Sequence, residues 1–221
     1  MNDGTLEISF HSHTLVLHPE GAIWWPGERI LILSDVHLGK SATFRAHGLP
    51  VPEGESEQDL ERIKQLVEHF KAKQLLIAGD LLHSDTILDD DWLSELDSWF
   101  GQLPCRCLLV RGNHDPTAAR LSALRHLEVT GEHSRGSLHF IHDPAHADHD
   151  SPTIAGHLHP LCRVGPKRGP KLRLPCFHLD GRLLVLPAFG TFTSGNPIAE
   201  PAATVFPIAE GRVLSACKPG S

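Results

Sequence analysis

Five apolar runs in this chain end on a side chain able to bind a metal or carry a proton. "RILILS" runs into Asp35, "LLIAG" into Asp80, "LLVRG" into Asn113, "LHFI" into His142 and "TIAG" into His157. The surrounding spacing repeats the same residue types: Asp35-x-His37, Gly79-Asp80, Gly112-Asn113-His114-Asp115, and Gly156-His157-Leu158-His159-Pro160. Imidazole nitrogen combined with carboxylate oxygen suits borderline divalent ions such as manganese, iron or zinc, whereas calcium and magnesium favour oxygen-only shells. A pair of such ions would activate water at neutral pH and stabilise both the attacking and the leaving oxygen of an in-line displacement. Taken alone, an Asp-x-His more often marks a capped turn, and Gly-Asp after a strand is ordinary. Gly-Asn-His-Asp and Gly-His-x-His are rarer, and the ordered set is hard to ascribe to chance.

The elements that must position these residues alternate in type. "LEISF", "HTLVLH" and "GAIWW" read as short strands closed by Pro26-Gly27, and "RILILS" is followed by a helix-compatible "KSATFRAHG". Beyond Pro50 and Pro52 a longer helix is expected, with Ser56 as N-cap and Leu60, Ile63, Leu66, Val67 and Phe70 at helical spacing. "QLLIAG" is a strand. "DDDWLSELDSWFGQL" is a helix, acidic at its start, with Trp92, Leu96, Trp99 and Phe100 on one core-facing side. "CRCLLVRG" is a strand, "PTAARLSALRHL" a helix opened by Pro116, and the chain is mostly β from Leu127 onward. The expected fold is α/β: one domain over residues 1–221, a four-layer α/β/β/α sandwich of two mixed sheets face to face with helices outside. In open α/β sheets the carboxyl ends of strands form the binding crevice, so separate strands deliver their polar residues to one rim.

Composition sets the outer limits. The formal charge of -7 argues against a surface that wraps a polyanion everywhere, so phosphate chemistry would rely on local charge. Five cysteines without regular spacing do not form a disulfide framework and are expected to be reduced thiols in a cytoplasm. The start lacks a signal-peptide layout and no apolar run is long enough to cross a membrane, so a soluble protein is expected. There are 17 histidines and no contiguous tag, so position must separate ligands from bystanders. His11 and His13 read as part of a surface strand, His146 and His149 as part of a polar loop, and His178 alternates with buried neighbours.

The ordered set Asp-x-His, Gly-Asp, Gly-Asn-His-Asp, His, Gly-His-x-His, spanning Asp35 to His159, resembles the calcineurin-like metallophosphoesterases. "GDLLH", with His83 after the aspartate, resembles the nuclease branch rather than the phosphoprotein phosphatases. "LGKSATFRAHGLPVPEG" and "LPAFGTFTSG" are similar to the flanks of the bacterial ligase-associated DNA damage response endonucleases. The resemblance implies one metal held by Asp35, His37, Asp80 and His159 and a second held by Asp80, Asn113, His142 and His157, with Asp80 bridging. His142 is preferred over His139, His146 and His149 because it alone follows an apolar strand directly and precedes a Pro turn. His114 would face the substrate as proton donor or charge stabiliser, with Asp115 behind it and His83 nearby as further catalytic candidates. The occupied site would be positive and matched to a phosphodiester. The activity implied is manganese-dependent endonucleolytic cleavage of single-stranded DNA in repair, alongside a ligase and a helicase, with iron or zinc as the other ions the donors suit.

Substrate contacts are read from charge. No acidic residue occurs between Ser151 and Leu179, while Arg163, Lys167, Arg168, Lys171 and Arg173 crowd into "CRVGPKRGPKLRLP" directly after the Gly-His-x-His. This is either a basic hairpin beside the metals that grips a nucleic-acid backbone or a solvated hairpin tip. Lys40 and Arg45, just past Asp35-x-His37, are further candidates for phosphate contact. The "GTFTSGNP" loop either covers the site or turns a corner, and with no base motif beside its Thr and Ser a serine nucleophile is not expected. The rival functions are a small-molecule phosphatase or cyclic-nucleotide phosphodiesterase with the same metals, and a non-catalytic scaffold, which should show damaged ligands.

Overall fold

A computed structural model describes residues 3–46, 54–83, 89–148, 150–166, 168–198 and 203–218. Its first sheet has seven strands in sequence order: β1 (Leu6–Phe10), β2 (His13–His18), β3 (Ala22–Trp25), β4 (Ile30–Leu33), β5 (Gln74–Ile77), β6 (Arg106–Val110) and β7 (Leu127–Thr130). The first four pair antiparallel and β4 to β7 pair parallel, so the sheet is mixed. Helices α1 (Lys40–Ala46), α2 (Glu55–Phe70), α3 (Asp90–Gln102) and α4 (Ala118–Leu121) lie in the connections between the parallel strands.

The second sheet takes β8 (His133–Arg135), β9 (Leu138–Phe140), β10 (Thr153–Ala155), β11 (Pro160–Val164), β12 (Leu172–Asp180), β13 (Leu183–Val185), β14 (Asn196–Pro197), β15 (Thr204–Ala209) and β16 (Arg212–Val213). Its order is β14-β11-β12-β13-β10-β9-β8, with β15 paired to β12 and to β16. It too is mixed, since β9, β10 and β13 are parallel and β12 is antiparallel to β13.

The period of two in the strands builds two cores. Leu31, Leu33, Leu75, Ile77 and Leu109 face α2 and α3, where Ile63, Leu66, Val67, Leu93, Leu96 and Phe100 meet them. Ile30, Ile32, Leu76, Leu108 and Val110, one residue out of phase, face the second sheet and pack on Phe140, Ile154, Phe177 and Leu184. Because both faces of β4 to β6 are covered, these strands read as unbroken apolar runs. On the outer face of the second sheet a small cluster of Cys162, Cys176 and Val205 is covered by strand and loop among the described residues.

Several local expectations are corrected. Helix α2 begins after Gly54, which adopts φ 95 and offers no side-chain cap. Ser56 instead accepts a bond at Oγ from Gly39 N–H at 3.0 Å, tying α2 to the start of α1. The "PTAARLSALRHL" helix shrinks to Ala118–Leu121, because the buried carboxylate of Asp97 takes the His126 N–H at 2.8 Å and draws the following residues into turns. In α3, Leu93, Leu96 and Phe100 are buried, whereas Trp92 and Trp99 are only partly buried at the edge of the same core. The five cysteines are free thiols. No helix among the described residues is long and apolar enough to cross a membrane.

Candidate metal centre

The three parallel strands β4, β5 and β6 end at one edge of the first sheet, and β9 and β10 end beside them in the second. Asp35 follows β4 by two residues, Asp80 follows β5 by three, Asn113 follows β6 by three, and His142 and His157 each lie two beyond β9 and β10. Backbone bonds lock these ends together: Asp35 N–H to Gly79 O at 3.0 Å, His37 N–H to Asp80 O at 2.9 Å and Gly156 N–H to His142 O at 3.1 Å. The two sheets are joined at the site by His157 N–H, which donates to Asp35 Oδ2 at 3.0 Å.

Two groups of donors result. Asp35, His37 and His159 form one, Asp80, His142 and His157 the other, and each could hold a metal ion. In the first, His159 Nε2 lies 3.0 Å from Asp35 Oδ1 and 3.4 Å from His37 Nε2. In the second, His142 Nε2 lies 3.2 Å from Asp80 Oδ2, 3.0 Å from Asn113 Oδ1 and 3.1 Å from His157 Nδ1. Asp80 Oδ2 stands 3.9 Å from His37 Nε2 as well, between the two groups.

Tautomers follow from the partners on the far side of each ring. His142 Nδ1 sits 3.1 Å from Ala78 O and His159 Nδ1 sits 3.1 Å from Ser194 O, so both nitrogens carry the hydrogen and both Nε2 lone pairs face inward. The inward atoms are then acceptors converging on acceptors, an arrangement a cation satisfies. Protonation of His142 shows the same demand. Burial alone would lower its pKa, but the Asp80 carboxylate bonded to it, with Asp35 nearby, raises it to about 9. Burial keeps His37 neutral by pushing its pKa down to about 3 against the pull of Asp80 and Asp35. A nitrogen and oxygen donor set of this kind fits a pair of borderline divalent ions.

Close approach of backbone requires glycine at three points. A Cβ on Gly79 would lie 2.0 Å from His142 Nδ1, on Gly112 2.1 Å from Asp80 Oδ1, and on Gly156 2.6 Å from Asp35 Oδ2. The Gly-His-x-His segment is turned at its histidines rather than at Gly156, which is not left-handed. His157 and His159 adopt left-handed φ of 69 and 45 and send their rings into different groups, and Asp35, His37 and Asp80 are left-handed too, at φ 54, 52 and 48. Non-glycine residues in this region cost on the order of 1–3 kcal/mol each and persist where surrounding bonds over-determine them.

His114 is exposed at the mouth, its N–H donating to Asp80 Oδ1 at 2.9 Å. Its ring stacks on His83, with centroids 5.4 Å apart and planes at 19°. Burial, with Lys40 and His114 close by, lowers His83 to about 4, so it is a neutral ring. The carboxylate of Asp115, next to His114 in the chain, is engaged by backbone. Its Oδ1 accepts from Leu82 N–H and its Oδ2 from Gly112 N–H, both at 2.8 Å, so it fastens the loop after β5 to the loop after β6. Burial raises its carboxyl to about 6 against those two bonds. Lys40 is half-buried, with Asp35 and Asp80 as its electrostatic partners, and Arg45 stands in the last turn of α1.

The basic stretch does form a hairpin. Arg163 on β11 pairs across from Arg173 on β12 and both are exposed. Five extended residues carry the hairpin tip about 16 Å from His159, so exposed Arg168 lies away from the donors. Lys167 falls outside the described residues. A cavity of about 430 Å³ adjoins the second group, lined by Arg111, Asn113, Glu132, Asp143, His142 and His157 among others. Neither Arg111 nor the Ala78 and Ser194 carbonyls stand out in the sequence. Backbone acceptors carry no residue-type signal, and Arg111 is one basic residue at a strand end.

The "GTFTSG" loop is fastened to the centre. Phe189 N–H donates to Ser34 O and Gly190 N–H to Asp35 O, at 2.9 and 3.1 Å. Buried Asp59 of α2 accepts from Thr191 Oγ1 at 2.6 Å, from Thr191 N–H at 3.1 Å and from Arg62 at 2.7 Å. Replacing Asp59 by alanine removes the buried acceptor that ties Thr191 to Arg62 and α2, and the urea midpoint should fall by the equivalent of about 1 kcal/mol. An unchanged midpoint would show that Asp59 does not hold the loop.

This fold and this arrangement of donors define a metallophosphoesterase. The family model for calcineurin-like phosphoesterases matches residues 28–178, and the chain belongs to that family. Among solved structures it is similar to the nuclease MPE of Pseudomonas putida, with 32% identity, a TM-score of 0.79, and coverage of 95% of this chain and 98% of that one. It is also similar to the E. coli phosphoesterase Yfce, at 16% identity and a TM-score of 0.44, covering 86% of this chain and 99% of that one. An archaeal phosphodiesterase follows at 12% identity and a TM-score of 0.41, covering 86% and 98%. No match is found among curated proteins.

Proposed function

We propose that the protein is a binuclear-metal phosphodiesterase acting as an endonuclease on single-stranded DNA, with manganese as its metal. The observation that carries the chemistry is the pair of donor groups meeting at Asp80 on a rim shared by both sheets. Similarity over nearly the whole chain to the nuclease MPE of Pseudomonas putida supports the substrate class. The repair setting, with a ligase and a helicase, rests on the resemblance of the flanking segments.

In this reading Asp35, His37, Asp80 and His159 would hold one ion and Asp80, Asn113, His142 and His157 the other. When bound there, a pair of divalent ions would supply a hydroxide at neutral pH and charge stabilisation for the phosphate oxygens. Ala78 O and Ser194 O keep His142 and His159 in the ligating tautomer. Asp115 fixes the turn that presents Asn113 and His114, so it is a positioning residue, and His83 backs the His114 ring as a neutral partner. His114, exposed and anchored through its own N–H to Asp80, donates the proton to the leaving oxygen. Lys40 offers charge to the phosphate from the side of α1, and Arg45, Arg163, Lys167 and Arg168 serve the longer strand.

The test uses metal-stripped protein and circular single-stranded DNA, which has no end for an exonuclease. Linear fragments should appear with added manganese, and His114→Ala should cut at least about a hundredfold more slowly while still binding metal. A circle that survives while bis(p-nitrophenyl) phosphate is hydrolysed would overturn the nuclease assignment and leave the phosphodiesterase.

A further inference from the structure

Phe192 is 39% exposed at the outer end of the loop fastened to the metal centre. Single exposed apolar residues are ordinary on protein surfaces. This one is held out by a turn that has little freedom. Gly190 is bonded to Asp35 O, Thr191 to Asp59, Thr193 N–H to Gly190 O at 3.2 Å, and Ser194 O to the His159 ring. A Cβ on Gly190 would meet Val36 O at 2.2 Å, so the turn lies directly against the strand end that carries Asp35 and His37.

The ring is also the end of a series. Phe192 meets Phe44 of α1 edge-on at 5.6 Å, Phe44 lies 6.3 Å from His83, and His83 stacks on His114 at 5.4 Å. The aromatic surface thus runs without interruption from the mouth of the donor groups outward. Lys40 lies one helical turn before Phe44 on α1, so a positive charge is near the centre where a phosphate would sit and apolar rings lie beyond it. Leu158, between the two ligand histidines, is 40% exposed and adds apolar surface at the same mouth.

Phosphate near the charges and flat rings alongside is the arrangement by which proteins hold unpaired strands, since every base has a face to stack and sequence is not read. In a duplex those faces are covered by neighbouring bases. We propose that Phe192 and Phe44 form a base-stacking platform for a single nucleic-acid strand entering the metal centre. The inference rests on the nuclease reading above and assigns the residues that select unpaired over paired substrate.

The experiment compares an oligothymidylate with an oligomer of equal length in which every base is absent, both cut by the manganese-loaded full chain. Phe192→Ala should raise KM for the base-bearing strand about 5- to 150-fold with little change in kcat, and should cut the abasic strand as wild type does. Phe192→Trp should restore the low KM and Phe192→Leu should not. Equal losses on both strands would mean that the substitution disturbs the metal centre, and no loss on either would mean that no base rests there. Each result overturns the platform while leaving the nuclease standing. Intact strands of both kinds with wild-type protein that still hydrolyses bis(p-nitrophenyl) phosphate would remove the nuclease reading and the platform with it.

Discussion

Asp80→Asn is expected to lose at least about a hundredfold in phosphodiester hydrolysis, because even the outer partners of metal ligands are worth roughly 10–100-fold and Asp80, in the proposed centre, would stand inside that shell. Its Oδ2 is 3.2 Å from His142 Nε2 and 3.9 Å from His37 Nε2, so it is the carboxylate both ions would share. The variant also separates binding from folding. In metal-free protein the amide keeps the acceptor for His114 N–H and can donate to His142 Nε2, which gives up its extra proton once the carboxylate is gone, so each form's response to metal is read against its own metal-free Tm. Metal at a hundredfold excess over its dissociation constant stabilises by about 2.7 kcal/mol. In a chain of this length that raises the wild-type Tm by about 5–10 °C per ion. Asp80→Asn should forfeit most of that rise. A variant whose Tm and turnover respond to manganese as wild type does would show that Asp80 does not bridge, and would break the two-ion reading.

The candidate centre was legible because parallel strands make it so. Where β4, β5 and β6 are covered on both faces they must be largely apolar, and the first residues past their ends able to ligate a metal stand out as Asp35, Asp80 and Asn113. His142 could be chosen among its neighbours for the same reason, since β9 ends just before it. What escaped reading was backbone conformation. Left-handed φ at Asp35, His37, Asp80, His157 and His159 has no residue-type signature, and it took the cross-strand bonds to reveal that the histidines rather than Gly156 turn their segment. Competition between hydrogen-bond acceptors was equally hidden. Ser56 lies inside the first turn of α2, which begins at Glu55, and its oxygen accepts from Gly39 N–H, while Asp97 of α3 holds the His126 N–H beyond the short α4. The hairpin after His159 was visible as charge, but its direction was not, because a run of basic residues does not say where a strand points.

Gly112→Ala is expected to be the most damaging single-methyl change at the site. The added Cβ would lie 2.1 Å from Asp80 Oδ1 and 2.4 Å from Asp80 N, and the second of these is backbone that β5 and its neighbours hold in place. Relief must come from moving the Asp80 carboxylate or the turn carrying Asn113 and His114. Either breaks the His114 N–H bond to Asp80 or the Gly112 N–H bond to Asp115. Overpacking of this kind costs about 1–3 kcal/mol, and a displacement near 1 Å in a catalytic constellation can cost about a hundredfold in rate. Gly79→Ala should behave alike, since its Cβ would strike His142 Nδ1 at 2.0 Å and Gly79 itself holds φ +93. Gly54→Ala is the control that divides strain from crowding. Gly54 has φ +95 but nothing within 4 Å of a Cβ, so it should lose only about 1–2 kcal/mol for the left-handed conformation and keep full activity. If Gly112→Ala matched Gly54→Ala in both urea midpoint and turnover, the loops after β5 and β6 would have slack, and the close approach would not be what holds Asp80 between the two donor groups.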